Sequence, residues 1–108
     1  MRNHDRRVVV TGMGALTPIG LNVKEFWDNS LAGKSGAGKI TSFDAGQYDT
    51  KIACEVKGFN PLEFMDKKTS NRMDLFTQYA IAVSEMAVRD STLNLEKENK
   101  DRIGVVFG

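Results

Sequence analysis

The chain has 108 residues, of which 41% are apolar and 27% charged, with a formal net charge of +1. This size and composition are typical of one globular unit, and the balanced charge gives no attraction to nucleic acid or membrane surfaces. No stretch approaches the roughly 20 apolar residues that span a bilayer, and the N-terminal apolar run is too short for a secretory signal. The single cysteine excludes an internal disulfide, so we expect a reducing, cytoplasmic setting.

The first predicted element is a strand over residues 7–11, after a charged tail (residues 1–5) that we expect to be flexible. Three consecutive valines without polar alternation predict burial on both faces of this strand. Gly12 and Gly14 follow, and they permit either a sharp reversal or a close backbone contact. A dinucleotide-binding fingerprint would need a third glycine where a Thr-Pro pair stands, so we do not expect one here.

The next predicted element is a short helix over residues 23–31, with Asn22 as its N-cap and Gly33 marking its end. Residues 33–39 have the glycine and lysine spacing of a phosphate loop. Ile40 stands where the magnesium-binding hydroxyl should be, and the run follows a helix instead of a strand. We therefore interpret it as a helix C-cap and a flexible loop, with a phosphate-binding α/β protein as the alternative.

An irregular stretch over residues 34–50 leads to a predicted edge strand over residues 51–56. Cys54 lies on the apolar side of that strand, where we expect a buried, structural thiol. Asn60 and Pro61 have the pattern of a helix start, with the asparagine as cap and the proline at the first position.

Apolar residues recur at helical spacing over residues 70–90, which predicts the longest helix of the chain. Its apolar stripe consists of Met73, Phe76, Ala80, Val83 and Ala87, widened by Tyr79 and Met86. Its polar side carries Asp74, Gln78, Glu85 and Arg89.

A last buried strand is predicted over residues 102–108, so the order is strand–helix–loop–strand–helix–strand, typical of a layered α/β fold. Ligands of open α/β sheets sit beyond the carboxyl ends of such strands. We therefore expect residues 1–108 to be the front part of a larger fold. A terminal central strand would expose an unpaired edge, so the isolated chain should be poorly soluble or self-associate.

The reactive side chains of this sequence give little indication of a catalytic site. His4, the only histidine, lies in the charged tail, where a solvated side chain is expected. One histidine and one cysteine with no ligand spacing do not predict a metal site, and the carboxylates show no acid/base pairing. A nucleophile pair of His4 and Cys54 is the less favoured alternative.

A basic cluster stands out instead. Lys67, Lys68 and Arg72 lie at the predicted mouth of the long helix, where cations oppose the helix dipole. Cations that are unfavourable for their own helix can mark a binding surface, although a solvated charged face is the commoner explanation. We interpret the three residues as a docking patch for an acidic partner or a phosphate.

The ordered motifs together resemble the N-terminal end of the β-ketoacyl-acyl-carrier-protein synthases, most closely the type II enzymes of bacterial fatty-acid synthesis. The resemblance covers the whole chain but roughly the first quarter of a family-length enzyme. The matching segments are Arg7–Gly14, Thr17–Gly20, Phe26–Trp27, Leu31–Gly36, Ile40, Phe43–Asp44, Phe59–Asn60, Arg72–Asp74, Arg102–Gly104 and Gly108.

The resemblance implies a thiolase-like fold of two similar α/β halves, of which residues 1–108 would be the N-terminal part of the first, usually in a homodimer. It implies acyl transfer to an active-site cysteine and decarboxylative Claisen condensation with malonyl-carrier protein, with two histidines assisting. Cys54 and His4 do not stand in the family's positions, so we assign no catalytic residue, and we expect the chain alone to be inactive.

The resemblance also implies that Lys68 and Arg72, with Lys67 beside them, dock the acidic acyl carrier protein. Asn71 stands where the family often has another cation. The carrier would bring its own phosphopantetheine arm, so we expect no cofactor, no metal and no nucleic-acid or membrane partner. A non-catalytic carrier-binding module, or a relative from polyketide synthesis such as a chain-length factor, remains the alternative.

Overall fold

The computed structural model describes residues 6–108, so the predicted flexible tail of residues 1–5 lies outside the described part. It contains both helices and strands, as the sequence predicts, but the predicted order is wrong at both ends. The elements are α1 (Val23–Leu31), β1 (Ala37–Lys39), β2 (Ile52–Cys54), α2 (Lys67–Ser70) and α3 (Leu75–Ser91), with 3₁₀ turns at Pro61–Glu63 and Lys100–Arg102.

The two strands predicted at the ends of the chain are not formed. Residues 7–11 and 103–108 carry no strand pairing, and residues 100–102 form a 3₁₀ turn instead. The valines expected to be buried on both faces are exposed, Val8 by 96% and Val106 by 95%. The physical reason is that a strand is stabilised by a neighbour, and no other part of residues 6–108 lies alongside either segment as a strand.

Helix α1 forms over the residues that the sequence predicts. The Asn22 side chain caps it by accepting a hydrogen bond from the Glu25 backbone N–H at 2.9 Å. The Glu25 carboxylate in turn accepts from the Leu21 N–H at 2.9 Å, so two amides at the helix start are satisfied. Gly33 follows the end of the helix with a φ of 67°, a left-handed conformation that glycine adopts without strain.

Residues 6–108 form one sheet, a two-stranded antiparallel pair of β1 and β2 in which Gly38 lies opposite Ala53. The edge strand predicted over residues 51–56 is thus confirmed at its centre. Its partner β1 lies within the stretch that the sequence predicts to be irregular. The prediction that Cys54 is buried is wrong, because all three residues of β2 are exposed, Cys54 among them.

Glu55 fastens the segment that follows β1. Its carboxylate accepts hydrogen bonds from the backbone N–H groups of Thr41 and Ser42 at 3.0–3.1 Å, and from the Thr41 hydroxyl at 2.7 Å. The Thr41 and Ser42 hydrogen bonds favour the ionised form and lower the pKa of Glu55 from 4.5 to about 2. Glu55 therefore holds Thr41 and Ser42, which lie beyond Lys39, the last paired residue of β1.

The long predicted helix is found as α3, but it begins at Leu75 and not at residue 70. Residues 71–74 form a turn between α2 and α3, and Asp74, expected inside the helix, is the N-cap of α3. The helix begins there because the Asp74 side chain accepts hydrogen bonds from the Thr77 N–H and hydroxyl, and so defines the helix start. At the other end, α3 stops at Thr92, which has a φ of 56°.

The N-terminal glycines lie directly against α3, and of the two alternatives for Gly12 and Gly14 the close backbone contact is confirmed. A Cβ atom on Gly12 would lie 2.3 Å from the Ala87 carbonyl oxygen, and one on Gly14 would lie 2.2 Å from the Val83 carbonyl oxygen. The Met13 N–H also donates to the Asp90 carboxylate at 2.9 Å. These contacts attach the N-terminal segment to the longest helix.

The core of the described chain is small. Ala82, in the middle of α3, is fully buried, and Tyr79 packs edge-to-face on Phe59 with ring centroids 5.0 Å apart. Asn60 caps the turn at Pro61–Glu63 as predicted, by accepting from the Leu62 N–H at 3.1 Å. None of the helices formed by residues 6–108 has the length and apolar character needed to cross a membrane.

Candidate functional site

The three cations predicted as a docking patch lie on α2 and in the turn between α2 and α3. Lys67 and Lys68 lie on α2, and Arg72 lies in the turn that joins α2 to α3. All three are exposed. The prediction that they sit at the mouth of one long helix is corrected, because α2 is a separate helix of four residues. We call Lys67, Lys68 and Arg72 the basic corner.

Asp66, which precedes the basic corner, is engaged by its own helix. Its carboxylate caps α2, accepting from the Thr69 N–H at 3.0 Å and from the Thr69 hydroxyl at 2.6 Å. The Thr69 hydroxyl and, next, the Thr69 backbone N–H lower the pKa of Asp66. The carboxylate is therefore occupied within α2 although two lysines follow it in the chain.

Asp74, which follows the basic corner, is occupied in the same way by Thr77 as the cap of α3. The ion pairs found within residues 6–108 are Lys24–Asp28 and Glu85–Arg89, and neither involves the basic corner. Both neighbouring acids thus serve as helix caps, and the three cations face solvent without an ion-pair partner in the described part of the chain. Such a surface suits an acidic partner.

Gln78 ties the basic corner to α3. Its side-chain amide donates to the Ser70 carbonyl at 2.9 Å and to the Met73 carbonyl at 3.1 Å. The sequence pattern places Gln78 on the polar side of the helix and does not predict this role. The available signal is weak: a glutamine one turn after a helix cap can reach back to the carbonyls of the preceding turn.

The other reactive residues are not brought into a site. Cys54 lies exposed in β2, a strand, and not at the start of a helix where a thiolate is stabilised. His4 lies outside the described residues, so the structure does not test the pair of His4 and Cys54. Within residues 6–108, no three His, Cys, Asp or Glu side chains are grouped as metal ligands would be.

The geometry of residues 33–39 agrees with a helix C-cap and not with a phosphate loop. The Gly33 N–H donates to the Ser30 carbonyl at 3.0 Å, and the Lys34 N–H donates to the Asn29 carbonyl at 2.9 Å. The run then enters β1, whereas a phosphate loop opens a helix whose N-terminus faces the phosphates.

An open cleft of about 710 Å³ lies between the N-terminal glycines, α1 and α3. No titratable side chain lines it, so its lining offers no acid or base for catalysis, and no base that would activate the Ser84 hydroxyl. We call it the apolar cleft. Its lining includes Gly14, Val23, Phe26, Trp27, Val83 and Phe107.

Comparison with known proteins agrees with these observations. Residues 5–108 match the family described as "Beta-ketoacyl synthase, N-terminal domain". The chain is 48% identical over 106 residues to 3-oxoacyl-[acyl-carrier-protein] synthase 2 of Staphylococcus aureus (strain COL), covering 98% of this chain and 26% of the relative. It is 42% identical over 103 residues to the protein of the same name from Synechocystis, covering 95% and 25%.

A solved structure, "The ishigamide ketosynthase/chain length factor", superposes with a TM-score of 0.77 at 40% identity. The match covers 84% of this chain and 23% of that one. The chain therefore spans about a quarter of the length of the relatives it matches. The family resemblance inferred from the motifs is confirmed: the chain belongs to the β-ketoacyl synthase family, and residues 5–108 match its N-terminal domain.

Proposed function

We propose that these 108 residues serve as the N-terminal portion of a 3-oxoacyl-[acyl-carrier-protein] synthase. Such an enzyme elongates acyl chains by decarboxylative Claisen condensation with malonyl-carrier protein. The family match and the names of the relatives support this assignment. The basic corner is the structural observation that carries this chain's own part in it, which is recognition of the acyl carrier protein.

The condensation itself requires a stabilised thiolate, and the described residues do not provide one. A condensing thiolate needs a cation or a helix N-terminus to stabilise it, and exposed Cys54 in a strand has no helix N-terminus of its own. We therefore assign no catalytic role to Cys54 or His4, and the 108 residues alone should not condense malonyl thioesters.

The carrier-docking role follows from charge and exposure. Because Asp66 and Asp74 are held as helix caps, the cations of the basic corner are available to carboxylates of an acidic partner. Exposed charges of this kind mainly raise the rate at which two proteins meet. At 0.1 M ionic strength, salt largely screens their interactions beyond about 10 Å. The carrier's phosphopantetheine arm would bring the acyl group, so no cofactor of this chain is required. Homodimerisation of the family-length enzyme is part of the same proposal.

Charge reversal tests the docking role directly. We expect the double variant Lys68→Glu and Arg72→Glu to weaken carrier-protein binding by about tenfold or more at low salt, with a smaller loss at high salt. Biolayer interferometry against immobilised acyl carrier protein measures this. The double variant Lys97→Glu and Lys100→Glu, an equal change of net charge at two exposed lysines far along the chain, is the control. Equal binding by the double variant and the control would contradict the docking role.

A second candidate is a non-elongating relative of polyketide synthesis, favoured by the likeness to the superposed ketosynthase/chain length factor structure. The two candidates differ in chemistry and not in this fold. Malonyl-dependent condensation by a family-length protein that carries these residues would support the synthase. Carrier binding without condensation would support the second candidate.

A further inference from the structure

We propose that Gln78 is a positioning residue, which holds the α2–α3 junction so that Lys67, Lys68 and Arg72 present one rigid surface to the partner. The inference rests on the docking role proposed above and adds the residue that organises it. The carrying observation is the pair of hydrogen bonds from the Gln78 amide to the Ser70 and Met73 carbonyls.

These two carbonyls lie on either side of Arg72. Ser70 is the last residue of α2, and Met73 directly precedes the Asp74 cap of α3. A glutamine amide nitrogen carries two hydrogens, so one side chain can satisfy both acceptors at 2.9 and 3.1 Å. The stretch that contains Arg72 is therefore fixed at both of its ends by a single group.

Gln78 is itself held by α3, the longer of the two helices at the junction. The Gln78 backbone N–H donates to the Asp74 carbonyl at 3.1 Å, in the first turn of the 17-residue helix α3. Helix α2 has four residues, far fewer than the 12 or so that an isolated helix needs. Its orientation must therefore come from contacts outside itself, and the Gln78 hydrogen bond to the Ser70 carbonyl is one of them.

Burial makes these hydrogen bonds matter. Ser70 is 8% exposed, the only buried polar residue found within residues 6–108, and Gln78 is half-buried. Without the Gln78 amide, the Met73 carbonyl loses this donor and the Ser70 carbonyl keeps the longer hydrogen bond from the Met73 N–H at 3.3 Å, so the loss favours opening of the junction. In an opened junction the two lysines and Arg72 no longer share one orientation. The apparent affinity for a partner then falls with the populated fraction of the closed form.

The test combines Gln78→Met, which removes both donors at nearly constant length, with binding to acyl carrier protein at low salt. We expect about three- to tenfold weaker binding. Gln47→Met, at an exposed glutamine in the loop between the strands, should bind like the unmodified protein. Gln78→Ala, which lacks the donors and favours a helix, replaces Gln78→Met if that variant fails to fold.

A second arm separates positioning from general damage. In a Lys68→Ala and Arg72→Ala background, Gln78→Met should change the residual binding by less than about twofold, because few charges remain to be oriented. Hydrogen exchange should also accelerate at the amides of residues 71–73 but not in the middle of α3.

Each outcome decides a different point. No carrier binding by the unmodified protein would overturn the docking role and the positioning role with it. Normal carrier binding by Gln78→Met would overturn the positioning role alone. Equal losses from Gln78→Met in both backgrounds would show general structural damage and would also overturn it.

Discussion

The basic corner and the two ends of the chain fold by different means. In the corner, each cap or bridge joins residues three to eight positions apart, as with Asp66 and Thr69 or Gln78 and Ser70. At the ends, residues 8–10 and 105–107 are apolar and exposed, without strand partners in the described chain. The basic corner therefore forms its hydrogen bonds between residues that are close in the sequence. The two end segments would need distant strands to pair with, and they remain unpaired.

The comparison teaches which features this stretch of sequence can organise by itself. A helix cap requires one side chain and the next turn of backbone, and both are always at hand. A central strand requires two flanking strands and a layer on each face, which come from elsewhere in a fold. Both kinds of region meet on α3, which carries the corner at its start and the N-terminal glycines along its length.

The largest effect should come from separating the N-terminal segment from α3. Gly14→Val would place a Cβ 2.2 Å from the Val83 carbonyl oxygen, so the segment must move away. We expect destabilisation of about 3 kcal/mol in urea unfolding, with early proteolysis in the glycine segment. Gly104→Val, where a Cβ would meet nothing within 4 Å, is the matched control. Equal stabilities of the two variants would contradict the close packing.

The next effect concerns the corner itself. Asp74→Ala removes the cap of α3, and we expect a loss of about 1 kcal/mol in the free energy of unfolding and fraying of the first turn. Asp49→Ala, a change of the same residue type in the exposed loop between the strands, should leave stability unchanged. Circular dichroism during urea unfolding measures both. An unaltered Asp74→Ala midpoint would show that the cap does not define the start of α3.

A third effect concerns the pH dependence of the β1–β2 hairpin. Glu55 has a folded pKa of about 2 against an ordinary 4.5, so its contribution is complete above pH 4.5 and is lost as the pH falls towards 2. The amide signals of Thr41 and Ser42 should titrate near pH 2 in NMR spectra. Glu55→Gln should abolish this titration and make stability less dependent on pH in that range. A midpoint near 4.5 would mean that the carboxylate is not held.

The smallest effect on stability is expected at the chain ends. Val106→Lys changes a side chain that is 95% exposed, so the free energy of unfolding should change by less than about 0.5 kcal/mol. Self-association of the isolated chain should nevertheless decrease, because a lysine in an exposed, unpaired apolar segment disfavours strand pairing between molecules. Sedimentation velocity measures this. A monomeric unmodified protein would contradict the expected association.

Much of the local structure was determined by the sequence itself. The bounds of α1, its Asn22 cap, the Gly33 end and the start at Asn60 and Pro61 all follow from side chains that bond to backbone within one turn. The family could also be recognised from the ordered motifs. These features are predictable because their physical cause is local in the chain.

Only the tertiary structure decided the rest. It chose close packing for Gly12 and Gly14, began the long helix at Leu75 after the Asp74 cap, and turned Gln78 inward to two carbonyls. It also left the Cys54 thiol and the terminal valines exposed. Hydrophobic pattern states that a face is suited to burial, but burial itself depends on which distant segment covers that face.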